Sequence, residues 1–154
     1  MDDLANALDI GDLYAVLQAI RYAKPLPETS LHSYLMAQST ISRDMPAQLQ
    51  DYYVATWLTE MIITQYNAHR SYHGLPMLNL DMPKKTLIDH IQQDYLLSNA
   101  ELEIWSVLFI RYACLKASVS TDLHAQIART TKRTLRRRQK RGIEQLYLMI
   151  LTYQ

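Results

Sequence analysis

Thirteen consecutive residues, Arg129-Thr130-Thr131-Lys132-Arg133-Thr134-Leu135-Arg136-Arg137-Arg138-Gln139-Lys140-Arg141, contain eight lysines and arginines and no acid. That is half of the sixteen basic side chains in the 154-residue protein. The rest of the chain holds eight basic against fifteen acidic residues, so the formal net charge of +1 conceals a strongly cationic segment on an acidic body. Like charges packed this closely repel one another, and a polyanion laid against them relieves that repulsion. The guanidinium group is also the side chain best matched to phosphate and to the guanine edge, because its fork of donors can bind two acceptors at once. The chemistry of the segment is therefore anion recognition, with nucleic acid as the first ligand to consider.

Other residues with chemical potential form no convincing set. His69 and His73 lie four apart, a spacing that can put two imidazoles on one metal, but neither an HExxH pattern nor a nearby cysteine accompanies them. His32, His90 and His124 have no partner visible in the sequence. Asp94 and Glu60 belong to no paired-carboxylate pattern. Three glycines in the whole chain leave no room for a phosphate-cradling loop, and no G-x-S-x-G elbow occurs. The expectation is a protein that is not an enzyme and needs no cofactor or metal. Eleven tyrosines are numerous for this length. Tyr52, Tyr53, Tyr66, Tyr95 and Tyr112 fall on apolar stripes and read as core residues with hydroxyls reaching outward. None interrupts the basic run, which favours a duplex over a single strand that would stack on aromatic rings.

The elements that must carry the basic run are helical. Leu, Ala, Gln and Met are frequent, glycine is scarce, and alternating β-branched runs are few. The fold class expected is all-α, a multi-helix orthogonal bundle with a C-terminal helix-turn-helix and a long terminal helix. Apolar periodicity predicts helices over about 12–23, a shorter one after Thr29 or Ser30, a long one from Pro46 to about Tyr72, and one opened by Pro83. Another follows Ser98 or Asn99 and ends near Lys116, with Glu101 and Glu103 in a first turn where the helix dipole favours acids. A short helix runs from Thr121 to Arg129, Thr130 and Thr131 interrupt it, and the last helix runs from Lys132 to about Tyr153. Residues 98–154 read as a helix-turn-helix subdomain, and 1–97 as a support, dimerisation or partner-binding region within what is expected to be one unit.

In that arrangement the small Ala125 lets two helices approach and Leu135 points back to the hydrophobic centre. Lys132, Arg133, Arg136 and Arg137 are then placed to reach base edges, while Arg129, Thr131, Lys140 and Arg141 meet phosphates. Arg138 flanks them. Thr131 is the expected N-cap of the second helix, beside free amide groups that can themselves approach a phosphate.

The segment from Ala125 to Arg138 resembles the C-terminal helix-turn-helix of sigma factors (region four) and of LuxR-type response regulators. Thr131-Lys132-Arg133-Thr134-Leu135 occupies the Ser-x-Arg-Thr-Val position of that pattern, and Leu108-Phe109-Ile110-Arg111-Tyr112 resembles the helix that precedes it. The stretch from Arg137 to Leu146 is also similar to helical modules of some bacterial multidomain NTPase regulators. The likeness covers about residues 104–150 and implies double-stranded DNA binding in transcriptional regulation. At one position the chain departs from the pattern: Arg129 stands where the family turn carries glycine.

Residues 143–153 are apolar on nearly every side, so this final stretch is expected to be buried, either within the chain or against a second copy in a homodimer. The single cysteine, Cys114, excludes an intramolecular disulfide, fits a reducing compartment and reads as a small packing residue. No apolar stretch is long enough to span a membrane and the N-terminus lacks a signal-peptide pattern, so a cytoplasmic location is expected. Two rival readings stand beside DNA binding. One is a helical adaptor whose basic face docks an acidic protein partner; the other is a toxin or inhibitor acting on an acidic surface that mimics nucleic acid.

Overall fold

Polar caps and apolar periodicity set the helices of this protein, whose computed structural model describes residues 8–38 and 40–152. Helix α1 (Ile10–Arg21) begins at Asp9, whose carboxylate accepts from the Gly11 amide, and it buries Leu13, Val16, Leu17 and Ala19. Helix α2 (Ser30–Ala37) opens with a reciprocal cap: Thr29 Oγ1 accepts from the Leu31 amide while His32 Nδ1 accepts from the Thr29 amide. Helix α3 (Ala47–Tyr72) buries Val54, Leu58, Ile62, Tyr66 and Arg70, one residue per turn along a single row. Helices α4 (Lys84–Asp94) and α5 (Ala100–Leu108) follow, the latter capped by Asn99 through the Leu102 amide. The chain then widens into a π-helical turn over Phe109–Ala113 and tightens into a 3-10 turn over Leu115–Ala117. Helices α6 (Thr121–Ala128) and α7 (Lys132–Thr152) complete the described chain.

Among the described residues there are seven α-helices and no strand, so the fold is all-α. No helix of the described chain is long and apolar enough to cross a membrane. The chain divides into two compact units: unit 1 comprises Met1–Thr59 with Glu144–Gln154, and unit 2 comprises Glu60–Ile143. In unit 1, Tyr34 donates its hydroxyl to the Ile150 carbonyl at 2.8 Å, and Tyr147 donates to the Leu8 carbonyl at 2.8 Å. His32 Nε2 lies 3.0 Å from Asp51 Oδ1.

Unit 2 has a polar centre. Asp94 and Arg70 are both fully buried and form an ion pair, and Asp94 Oδ2 also accepts from the Tyr66 and Ser106 hydroxyls. Arg70 donates further to the carbonyls of Pro76 at 2.8 Å and His90 at 3.1 Å. Burial raises the Asp94 carboxyl above its ordinary range, with the Tyr66, Arg70 and Ser106 donors offsetting part of that shift. Such a pair contributes little net stability when intact but is costly to break, because either partner left alone is a buried uncompensated charge.

The structure differs from the sequence reading at three places. Tyr52 and Tyr53 are 63% and 42% exposed rather than core, since at 100° per residue both fall off the Val54–Leu58–Ile62–Tyr66 row. The terminal stretch is amphipathic: Ile143, Leu146 and Ile150 are buried, while Leu148 and Leu151 are 61% and 41% exposed. The helix expected to reach Lys116 leaves α geometry after Leu108, and Ser120 caps α6 by accepting from the Leu123 amide. Tyr66 and Tyr112 are buried, and so is Cys114, whose thiol burial pushes up to about 11. Tyr153 and Ser39, to which the sequence assigned a helix end and a linker, lie outside the described residues.

Candidate nucleic-acid interface

The basic run starts at the corner between α6 and α7, within unit 2. Helix α6 ends because Arg129 adopts a left-handed backbone conformation, φ 52° and ψ 46°. Its amide donates to the Gln126 carbonyl at 3.2 Å, and the Thr130 amide donates to the Ala125 carbonyl at 3.0 Å. This pair of bonds satisfies the last carbonyls of α6 in the manner of a left-handed C-terminal cap, a position usually given to glycine. The chain restarts at once. Thr131 Oγ1 accepts from the Thr134 amide at 3.2 Å and donates to Thr134 Oγ1, and the Leu135 amide donates to the Thr131 carbonyl.

The first half of α7 is fixed along one side. Leu135 is buried with Val107 and Ala128, and Tyr95 and Ala125 pack against that cluster. Gln139 donates from Nε2 to the Tyr112 hydroxyl at 2.9 Å. Gly142 lies so close to α5 that a Cβ placed there would sit 2.9 Å from Leu108 Cγ and 3.1 Å from Ile104 Cγ2. Behind the corner, Tyr95 Oη and His124 Nε2 are 3.0 Å apart, so α6 is tied to the end of α4 by a polar contact as well as by packing.

Residues 135, 139 and 142 define the inner side, and 100° steps put Arg133, Arg136, Arg137, Lys140 and Arg141 on the outer arc. All eight sequence-nominated residues, Arg129, Thr131, Lys132, Arg133, Arg136, Arg137, Lys140 and Arg141, are exposed. Two of the eight cations in the run form ion pairs among the described residues. Lys132 Nζ is 2.8 Å from Asp122 Oδ1 across the corner, a solvent-exposed contact of small energetic consequence. Arg138 Nη2 is 3.3 Å from Glu103 Oε2, and both side chains are largely covered, so Arg138 belongs to the inner, structural side of α7. The remaining six cations face solvent together.

Four positions that fix α6 and α7 behind the basic run were missed as such in the sequence: Tyr95, His124, Gln139 and Gly142. Only Gly142 carried a signal, being a glycine inside an otherwise helical pattern, which often marks close backbone approach. The Arg70–Asp94 pair had none, because its members are 24 residues apart on different helices.

His69 and His73 line a different part of unit 2, a cavity of about 390 Å3 that also includes Tyr72, Asn99 and Glu101. His69 stacks over Trp105 with ring centroids 6.3 Å apart, and its partial burial lowers its pKa, against an opposing pull from Glu101. Among the described residues no three His, Cys, Asp or Glu side chains come together in a metal-holding group.

Compared with protein-family models, curated proteins and solved structures, the chain matches none of them.

Proposed function

We propose that the protein binds double-stranded DNA through the outer arc of α7, as a cytoplasmic helix-turn-helix regulator of transcription. One observation carries the reading: six exposed cations follow a tight left-handed corner, on a helix whose opposite side is locked by Leu135, Gln139 and Gly142. A helix presented in this way can enter a major groove with its first turns against base edges and its later turns against phosphates. Arg133, Arg136 and Arg137, with Lys132 once released from Asp122, are assigned to base edges. Arg129, Thr131, Lys140 and Arg141 are assigned to phosphates. The likeness of residues 104–150 to sigma-factor and LuxR-type modules supports the same reading, and so does the use of Thr131 as a cap. Leu148 and Leu151, exposed on the later turns of α7, supply an apolar surface suited to a homodimer contact.

The test is fluorescence anisotropy of random duplex DNA. Neutralisation of phosphates by the three cations Arg129, Lys140 and Arg141 gives a log-log salt slope near roughly −2.7. Reversing both Arg133→Glu and Arg136→Glu is expected to weaken binding at least about thirtyfold, taking about 1 kcal/mol or more for each arginine. Unchanged affinity in that double variant, with helicity preserved, removes the proposal. A second reading, a helical adaptor for a protein partner, draws on the exposed Leu49, Tyr52 and Tyr53 of α3. It predicts no appreciable duplex affinity at physiological salt.

A further inference from the structure

We infer that unit 2 contains a binding site for a small amphipathic carboxylate, at the cavity between the start of α4 and the broken segment after α5. The cavity measures about 530 Å3, within the range of small-molecule sites. Its apolar wall comes from both sides: Met82 and Leu87 precede and enter α4, while Leu115 and Ala117 belong to the 3-10 turn. Cys114 lies in the same wall, and burial keeps its thiol protonated at neutral pH, so it presents a soft apolar surface and not a nucleophile.

The polar part of the lining is unevenly charged. Lys84 and Lys116 contribute from opposite sides, and Asp81 is the single acid, leaving a net charge of +1. Lys84 is also the first residue of α4, whose N-cap is Pro83 and therefore supplies no side-chain acceptor to the first-turn amides. One surplus positive charge beside a largely apolar wall suits a monoanion with an alkyl or aryl body. It does not suit a nucleotide or another polyphosphate, whose charge would exceed the two lysines. The apolar lining disfavours a bare inorganic anion, which has nothing to place against Met82, Leu87 and Leu115.

This site is independent of the nucleic-acid reading, since none of its lining residues lies on α6 or α7. Cys114 is the only cysteine in the chain, so it serves as a local reporter. The whole protein is titrated with octanoate, with octylamine as the cationic comparator. Two quantities are followed: the thermal midpoint, and the rate at which a neutral disulfide reagent modifies Cys114. Octanoate is expected to raise the midpoint and slow the modification, and octylamine to do neither. Combining Lys84→Gln with Lys116→Gln, both exposed and so compatible with folding, is expected to weaken the octanoate effects about tenfold. Arg137→Gln on α7 is expected to leave them unchanged. The inference is overturned by an absent midpoint shift, by a shift without protection of Cys114, by equal protection from octylamine, or by a response that follows Arg137 instead of the two lysines.

Discussion

Replacing Arg129 by glycine separates the two roles of the corner residue, because its effects on stability and on DNA binding have opposite signs. Arg129 sits at φ 52° with its side chain exposed and in no ion pair among the described residues. For a residue with a Cβ this conformation costs about 1–2 kcal/mol, which glycine does not incur. Glycine also gives the unfolded chain more freedom, returning about 0.4–1 kcal/mol of that advantage. Arg129→Gly should therefore stabilise the protein by about 0.5–1 kcal/mol, or about 1–4 °C in the thermal midpoint for a chain of this size. Arg129→Ala keeps the left-handed strain and should stay within about 0.5 kcal/mol of the parent. Both variants remove the same cation, so under the DNA reading both should flatten the log-log salt slope by about 0.9. Urea and thermal unfolding measure the first effect, and anisotropy titrations over a series of salt concentrations measure the second. A glycine variant less stable than the alanine one would refute the strain argument. An unchanged slope in both would refute the phosphate contact alone.

Three further perturbations probe the interior of unit 2. Gly142→Ala should destabilise by about 1 kcal/mol in urea: a helix-propensity gain of about 1 kcal/mol is outweighed by crowding against Leu108 and Ile104, and overpacking costs about 1–3 kcal/mol. Stabilisation in that variant would show that α5 and α7 are less closely apposed. Asp94→Ala should cost about 3–5 kcal/mol by stranding Arg70, whereas Arg70→Met combined with Asp94→Leu should be closer to the parent than either single variant. Additive losses in that double variant would count against the buried pair. For His69, burial places the folded pKa below the unfolded value, so the unfolded chain binds more protons between the two. The His69 contribution is complete above the unfolded pKa and lost as pH falls through the folded one; His69→Gln should remove that part of the acid-side decline in urea midpoints.

Much of the fold could be read from the chain because it is governed locally. The cap at Asn99, the first-turn acids Glu101 and Glu103 and the break at Thr130–Thr131 each depend on a few neighbouring residues. The candidate site was visible as a charge cluster, and Leu135 as its inward anchor. Tyr52 and Tyr53 were misjudged because an apolar residue on a helix is core only if its angle matches the row that meets a neighbour, and the neighbour was not yet known. For the same reason the sequence left open whether Leu148 and Leu151 are covered within the chain, and there they are exposed. A stretch apolar on all sides has no preferred inner face until something packs against one of them.

What the sequence determined by itself was helical class, most helix ends, and the segregation of charge into one segment, since propensity, capping and composition act over a few residues. Only the tertiary structure decided what holds the inner side of α7, where Leu135, Gln139 and Gly142 meet Val107, Tyr112 and Leu108. It likewise joined Arg70 to Asp94 and withdrew Arg138 toward Glu103. Those pairings lie tens of residues apart in sequence, and the free energy that selects them comes from burial and charge compensation between helices, which no local window contains.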